Sequence, residues 1–106
     1  MSSEPLPDSI GQRVLGINRV IHEPARLALV ALLYVITEAD FIHLEQQTQL
    51  TRGNLSAHQR KLEDAVFFAI EKNFVDRVPR TVVTLTVSGR RAFEIYRKLM
   101  LGLLRD

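Results

Sequence analysis

The 106-residue chain contains no cysteine, and that absence removes disulfides, thiolate metal sites and cysteine nucleophiles together. Stability must come from an apolar core. No apolar run is long enough to cross a bilayer, the longest candidate being Leu27 to Ile36. The opening Met1-Ser2-Ser3-Glu4-Pro5-Leu6-Pro7 lacks the basic start and apolar stretch of a signal peptide, so a cytoplasmic protein with no membrane partner is expected. Internal repeats and low-complexity tracts are also missing. So are a glycine-rich elbow, a phosphate loop and a paired acidic motif, and Ser56 and His58 would point to different sides of a helix, so no enzyme is expected. His22, His43 and His58 form no local ligand pair and have no cysteine beside them, so neither a metal nor a cofactor is expected.

What the chain does have is 46% hydrophobic and 25% charged residues, the balance of one ordinary globular domain. The net charge of +2 is unevenly spread. Residues 1–50 carry three basic and six acidic groups, net −3, whereas residues 51–106 carry eleven and six, net +5. A basic half whose charges alternate with apolar positions favours a polyanionic partner, nucleic acid before membrane.

Residues 1–7 are expected to be a disordered tail and residues 8–106 a single domain. Ile10, Val14, Ile17 and Ile21 recur at helical spacing, so residues 8–21 read as an amphipathic helix with Asp8 as N-cap, weakened by Gly11 and Gly16. Glu23-Pro24 opens a helix over 24–37 that is apolar nearly all round and is expected at the centre of the core. Asp40 caps a shorter helix over 40–48, with Phe41, Ile42 and Leu44 available for burial, and a tight turn at Thr48-Gln49-Leu50 leads to a helix over 51–65 capped by Thr51. After Ala65 the period changes. Residues 66–72 and 81–87 are β-branched or aromatic runs that predict a two-stranded hairpin within 66–87, with a polar, basic tip over 73–80. Ser88 is expected to cap a last helix over 88–105.

The helix over 51–65 carries the functional signal. Leu55, Leu62 and Ala65 mark a buried side, while Arg52, Asn54, Ser56, Gln59, Arg60 and Lys61 are left outward, with no acidic residue from Thr51 to Lys61. A charge-rich face can be a plain solvated surface. The order of three helices, a hairpin and a final helix is nevertheless that of a winged helix-turn-helix, a mainly α fold with a small β-hairpin (α+β). The sequence also resembles the winged helix DNA-binding regulators related to MarR and ArsR proteins. The matching stretches are His22-Glu23-Pro24-Ala25-Arg26-Leu27, then Leu50-Thr51-Arg52-Gly53-Asn54-Leu55-Ser56-Ala57-His58 with Lys61-Leu62-Glu63, then Arg80-Thr81, and finally Leu85-Thr86-Val87-Ser88-Gly89-Arg90-Arg91-Ala92-Phe93. Together they cover roughly residues 20–100. One departure is that Asp64-Ala65-Val66 has no glycine where such proteins often place one between recognition helix and wing.

The groove geometry of such helices assigns Arg52, Asn54, Ser56 and Ala57 to base edges, with Arg suited to guanine and Asn to adenine. Gln59, Arg60 and Lys61 fall to phosphates or solvent, His58 to a phosphate or to packing, and Thr51 to the helix start. Gly53 either permits close approach of a backbone or is simply tolerated. Lys72, Arg77 and Arg80 at the hairpin tip suit the minor groove or adjacent phosphates, or form a charged turn kept in water.

The last helix offers more apolar surface than one small core requires. Tyr96, Leu99, Met100, Leu103 and Leu104, with Ile10, Val14, Ile17 and Ile21 from the first helix, are expected to form a homodimer interface. The reading is thus a homodimeric regulator binding double-stranded DNA sequence-specifically, with repression the expected outcome and any effector ligand unknown. A protein-interaction module and a ligand-sensing MarR-like regulator are the alternatives.

Overall fold

The computed structural model describes residues 9–105; the expected tail over 1–7 and the Asp8 cap lie outside them. Five helices and three strands follow in the order α1 (Ile10–Leu15), α2 (Pro24–Ile36), β1 (Glu38–Asp40), α3 (Phe41–Thr48), α4 (Arg52–Asp64), β2 (Phe68–Val75), β3 (Val78–Leu85) and α5 (Val87–Arg105).

The first helix is shorter than its apolar spacing predicts. Ser9 caps it by accepting from the Gln12 N–H at 3.2 Å, and it ends at Gly16. Beyond, the Asn18 side chain accepts from the N–H groups of Val20 and Ile21 at 3.0 and 3.1 Å, offering the backbone a turn in place of another helical one. That turn carries Ile21 into the core of the chain, where it is fully buried. Ile21 is therefore not available to a subunit interface.

Helix α2 forms the centre of the core through Leu29, Val30 and Leu33. Glu23 caps it and Pro24 occupies its first turn, where a missing N–H costs nothing. Asp40 and Thr51 cap α3 and α4 as the sequence predicts, accepting from the N–H groups of His43 at 2.8 Å and Asn54 at 3.1 Å. Between them Gln49 takes a left-handed conformation, φ 59°, and its N–H returns to the Glu45 carbonyl at 2.8 Å. Of the residues offered by α3, Leu44 is fully buried and Phe41 packs on the core, but Ile42 stays exposed.

The sheet has three antiparallel strands in the order β1-β3-β2, one more than the hairpin expected. Glu38-Ala39-Asp40 has no strand-like pattern of its own; it becomes a strand by pairing Ala39 with Val83 and Asp40 with Val82 on a neighbour more than forty residues away. The hairpin is also longer and its tip tighter. Strands β2 and β3 run in register from Phe68↔Leu85 to Val75↔Val78, leaving only Asp76 and Arg77 in the turn. Both have positive φ, 52° and 67°, the geometry that two-residue hairpin loops favour because its twist matches the strands. Pro79 is tolerated inside β3 because β1 reaches only from Val82 to Thr84 and leaves that flank unpaired.

Helix α4 leaves by a Schellman turn, with Phe67 N–H donating to the Leu62 carbonyl and Val66 N–H to the Glu63 carbonyl, both at 2.9 Å. The left-handed position is Val66, φ 64°, so the missing glycine of the sequence is replaced by a strained β-branched residue and the shape of the exit is kept. Helix α5 is capped by Thr86, not Ser88: the Thr86 hydroxyl accepts from Gly89 N–H at 2.9 Å and points at the Val66 and Phe67 carbonyls. A side-chain carbon at Gly89 would clash with the Phe67 carbonyl oxygen and lie 2.7 Å from Leu85 Cδ1. Tyr96 completes the core under α5, its hydroxyl 2.9 Å from His22 Nδ1, and so joins Ile21 among residues expected at a subunit contact but committed to the protomer interior. Burial raises the pKa of that phenol.

Two stability measurements check this account. Gly89→Ala should destabilise by about 2 kcal/mol because the obstacle is backbone, lowering the melting temperature by roughly 10 °C. Val66→Gly should raise stability by about 1 kcal/mol in denaturant titration, since it relieves the left-handed strain at an exposed position.

Candidate nucleic-acid interface

The seven-residue interval between Leu55 and Leu62, two helical turns, fastens α4 to the core along one line. The opposite face is open: Arg52, Asn54, Ala57, Arg60 and Lys61 are exposed, while Ser56, His58 and Gln59 are half-buried at the flanks. The exposed Thr51 spends its hydroxyl on the helix cap. Gly53 has open space where a side-chain carbon would stand, so nothing within the protomer requires glycine there.

Between α4 and the sheet lies a groove of about 430 Å³ lined by Asp40, Phe41, Ile42, Arg52, Ser56, Gln59, Ile70, Lys72, Pro79, Arg80 and Thr81. It brings together five residues of the expected outward face and hairpin, Arg52, Ser56 and Gln59 from α4 and Lys72 and Arg80 from the hairpin. Arg77 sits at the turn beyond. Asn54, Ala57, Arg60 and Lys61 do not line the groove and lie on the exposed face of α4.

Two groove cations have acidic neighbours that sequence reasoning missed. Arg52 Nε donates to Glu45 Oε1 at 3.3 Å, tying the two helices across their turn, and Arg80 Nε lies 3.6 Å from Asp40 Oδ2. Arg52 is 77% exposed, so the pair is weak and readily exchanged for a stronger anion. No local spacing rule links Glu45 to Arg52, because a non-helical turn intervenes. Gln59, expected at phosphates or in solvent, lines the groove instead and has its Oε1 buried with no hydrogen-bond partner among the described residues.

His58 is placed differently from a phosphate contact. Its Nδ1 lies 3.2 Å from the Arg26 guanidinium and 3.6 Å from Glu23 Oε2, and it lines a separate cavity of about 460 Å³ with Glu23, Pro24, Ala25, Ala28, Thr48 and Leu50. Arg26 in turn donates through Nε to the Val20 carbonyl at 2.6 Å. The cluster locks α4 against the start of α2. Burial pushes the Glu23 carboxyl up, but N–H bonds from Arg26 and Ala25 and the nearby His58 and Arg26 outweigh it, and the net is a lowered pKa. Among the described residues, no three histidine or acidic side chains gather to hold a metal ion, and no helix is long and apolar enough to cross a membrane.

A helix with one face in the core and the other open beside a basic hairpin is matched by known proteins. The family profile of the winged helix DNA-binding domain matches residues 25–104. The chain belongs to this family. An uncharacterized protein of Methanocaldococcus jannaschii is 32% identical over 78 residues, covering 74% of this chain and 85% of that protein. The structure of a transcriptional regulator homologue from Pyrococcus horikoshii OT3 superposes with a TM-score of 0.82 at 26% identity, covering 91% of this chain and 93% of that one. NadR, solved in complex with 4-hydroxyphenylacetate, shares the fold with a TM-score of 0.68 at 21% identity, covering 93% of this chain and 78% of NadR. The β2–β3 hairpin is the wing of this winged helix fold. The domain is of the DNA-binding, transcription-regulator type.

The Glu23 cluster predicts a pH dependence. A carboxyl held below its usual pKa adds stability above its unfolded-state pKa that is lost as pH falls through the folded value. Glu23→Gln should therefore melt at a lower temperature than the parent above about pH 5, and the two melting curves should converge in acid.

Proposed function

We propose that the protein is a homodimeric, sequence-specific regulator of double-stranded DNA that represses by occupying its site. The observation that carries this reading is the groove where Arg52 and Ser56 of the recognition helix face Lys72 and Arg80 of the wing. Arg52, Asn54, Ser56 and Ala57 read base edges; Arg60, Lys61, Lys72, Arg77 and Arg80 hold phosphates, with Thr51 fixing the helix start. His58 acts through the scaffold, by setting the tilt of α4.

Apolar surface on the terminal helices supports the dimer. Ile10, Val14 and Leu104 are exposed, and Ile17, Leu99, Met100 and Leu103 are half-covered within the protomer. Helices α1 and α5 touch each other, which brings the apolar residues of both to one region that a second copy could cover. Pairing about a two-fold axis would set two recognition helices roughly 34 Å apart on a near-palindromic site.

Selection from a random duplex library at fixed salt tests the proposal directly: a symmetric motif is expected, and a pool without enrichment would overturn it. Within that motif, Arg52→Ala should cost about tenfold in affinity and relax preference at one base pair. Arg77→Asn, chosen because asparagine tolerates the positive φ of the turn, should weaken all duplexes alike and lower the salt slope by about one unit.

A further inference from the structure

The wing carries more than its cations. Around the Asp76-Arg77 turn, Phe74 is 74% exposed and Val78 62%, with Val75 and Pro79 also exposed. Strand alternation and the ladder sort these residues by face. Phe74 pairs with Pro79, so the two share a face with Ile70, Lys72 and Thr81, whereas Val75 and Val78 lie on the reverse with Glu71. Ile70, Lys72, Pro79 and Thr81 line the groove against α4. Phe74 thus stands at the outer rim of that groove, one cross-strand step from Pro79, on the side where the recognition helix is presented. On this face of the hairpin the only charged residue is Lys72.

An exposed aromatic ring paired across the strands with a proline, on one face with Lys72 and two positions from the Asp76-Arg77 turn, matches a duplex: cations for phosphates and an apolar body for deoxyribose and base faces. We propose that Phe74, supported by Pro79, is an apolar wedge that enters the minor groove of the bound duplex and bends it. This rests on the DNA-binding reading above and deepens it, because it assigns part of the affinity to a contact that salt does not screen. The tight turn suits that task, since a two-residue loop holds the ring within two positions of the tip.

The test uses a duplex of about 30 base pairs, A·T-rich and labelled at both ends with a fluorophore pair. Affinity is measured by anisotropy across a salt series and bending by energy transfer. Wild type should bring the duplex ends closer. Phe74→Ala should bind about tenfold more weakly with an unchanged salt slope and a straighter duplex, and Phe74→Trp should restore both. Lys72→Ala, by contrast, should lower the salt slope by about one unit and keep the bend. Wild-type binding with Phe74→Ala unchanged in affinity and bend would overturn the wedge and leave the regulator reading standing. A change of oligomeric mass in Phe74→Ala would assign the ring to a protein contact and overturn it likewise. Failure of wild type to bind any duplex would overturn both.

Discussion

The carbonyl of Phe67 stands where three elements meet. It accepts from the Thr86 backbone N–H at 2.9 Å, lies 3.1 Å from the Thr86 hydroxyl, and is covered by the backbone of Gly89 at the start of α5. Because Phe67 is also the last residue of the turn that closes α4, this junction fixes the exit of α4, the root of the wing and the entry of the last helix in one place. The relative position of α4 and the hairpin follows from it. A groove between two such elements keeps its shape only if both are anchored at a common base, and a glycine at 89 is what lets the third element come close enough to do so.

The other end of α4 is held by different means. Arg26 and Glu23 at the start of α2 meet His58 in the middle of α4 at 3.2 and 3.6 Å, while Leu55 and Leu62 are buried in the core on either side of it. The outer cations are treated oppositely. Arg52 and Arg80 rest against Glu45 and Asp40 in solvent-screened pairs that hold the side chains near the groove without committing them. Inward polar contacts thus position the helix, and outward ion pairs hold Arg52 and Arg80 beside the groove for an anionic partner.

Backbone strain falls at the ends of elements. Among the described residues Thr37, Gln49, Val66, Asp76 and Arg77 have positive φ without being glycine; Thr37 closes α2, and the other four occupy the turn before α4, the turn after it and the tip of the wing. No glycine of the chain has positive φ. Each such residue costs about 1 kcal/mol or more relative to glycine, and the rest of the fold over-determines the conformation by hydrogen bonds and strand register. A side chain is retained at each of these turns, including a cation at Arg77.

Helix periodicity, the caps at Glu23, Asp40 and Thr51, the change of period after Ala65 and the concentration of basic residues in the second half are local properties, so the order of elements and the outward face of α4 were set by sequence alone. The turn at Thr48-Gln49-Leu50 was legible, but the exit of α4 and the hairpin tip were hidden because the usual marker, glycine, is absent from them; the tip looked eight residues long and proved to be two. Strand β1 exists only through pairing with β3, and Ile21 and Tyr96 turned inward only because Asn18 bent the chain and α5 settled over the core. The convergence of Arg52, Ser56, Lys72 and Arg80, the counter-ions beside two of them and the diversion of His58 were likewise tertiary decisions. They depend on distances between elements, which no local spacing encodes.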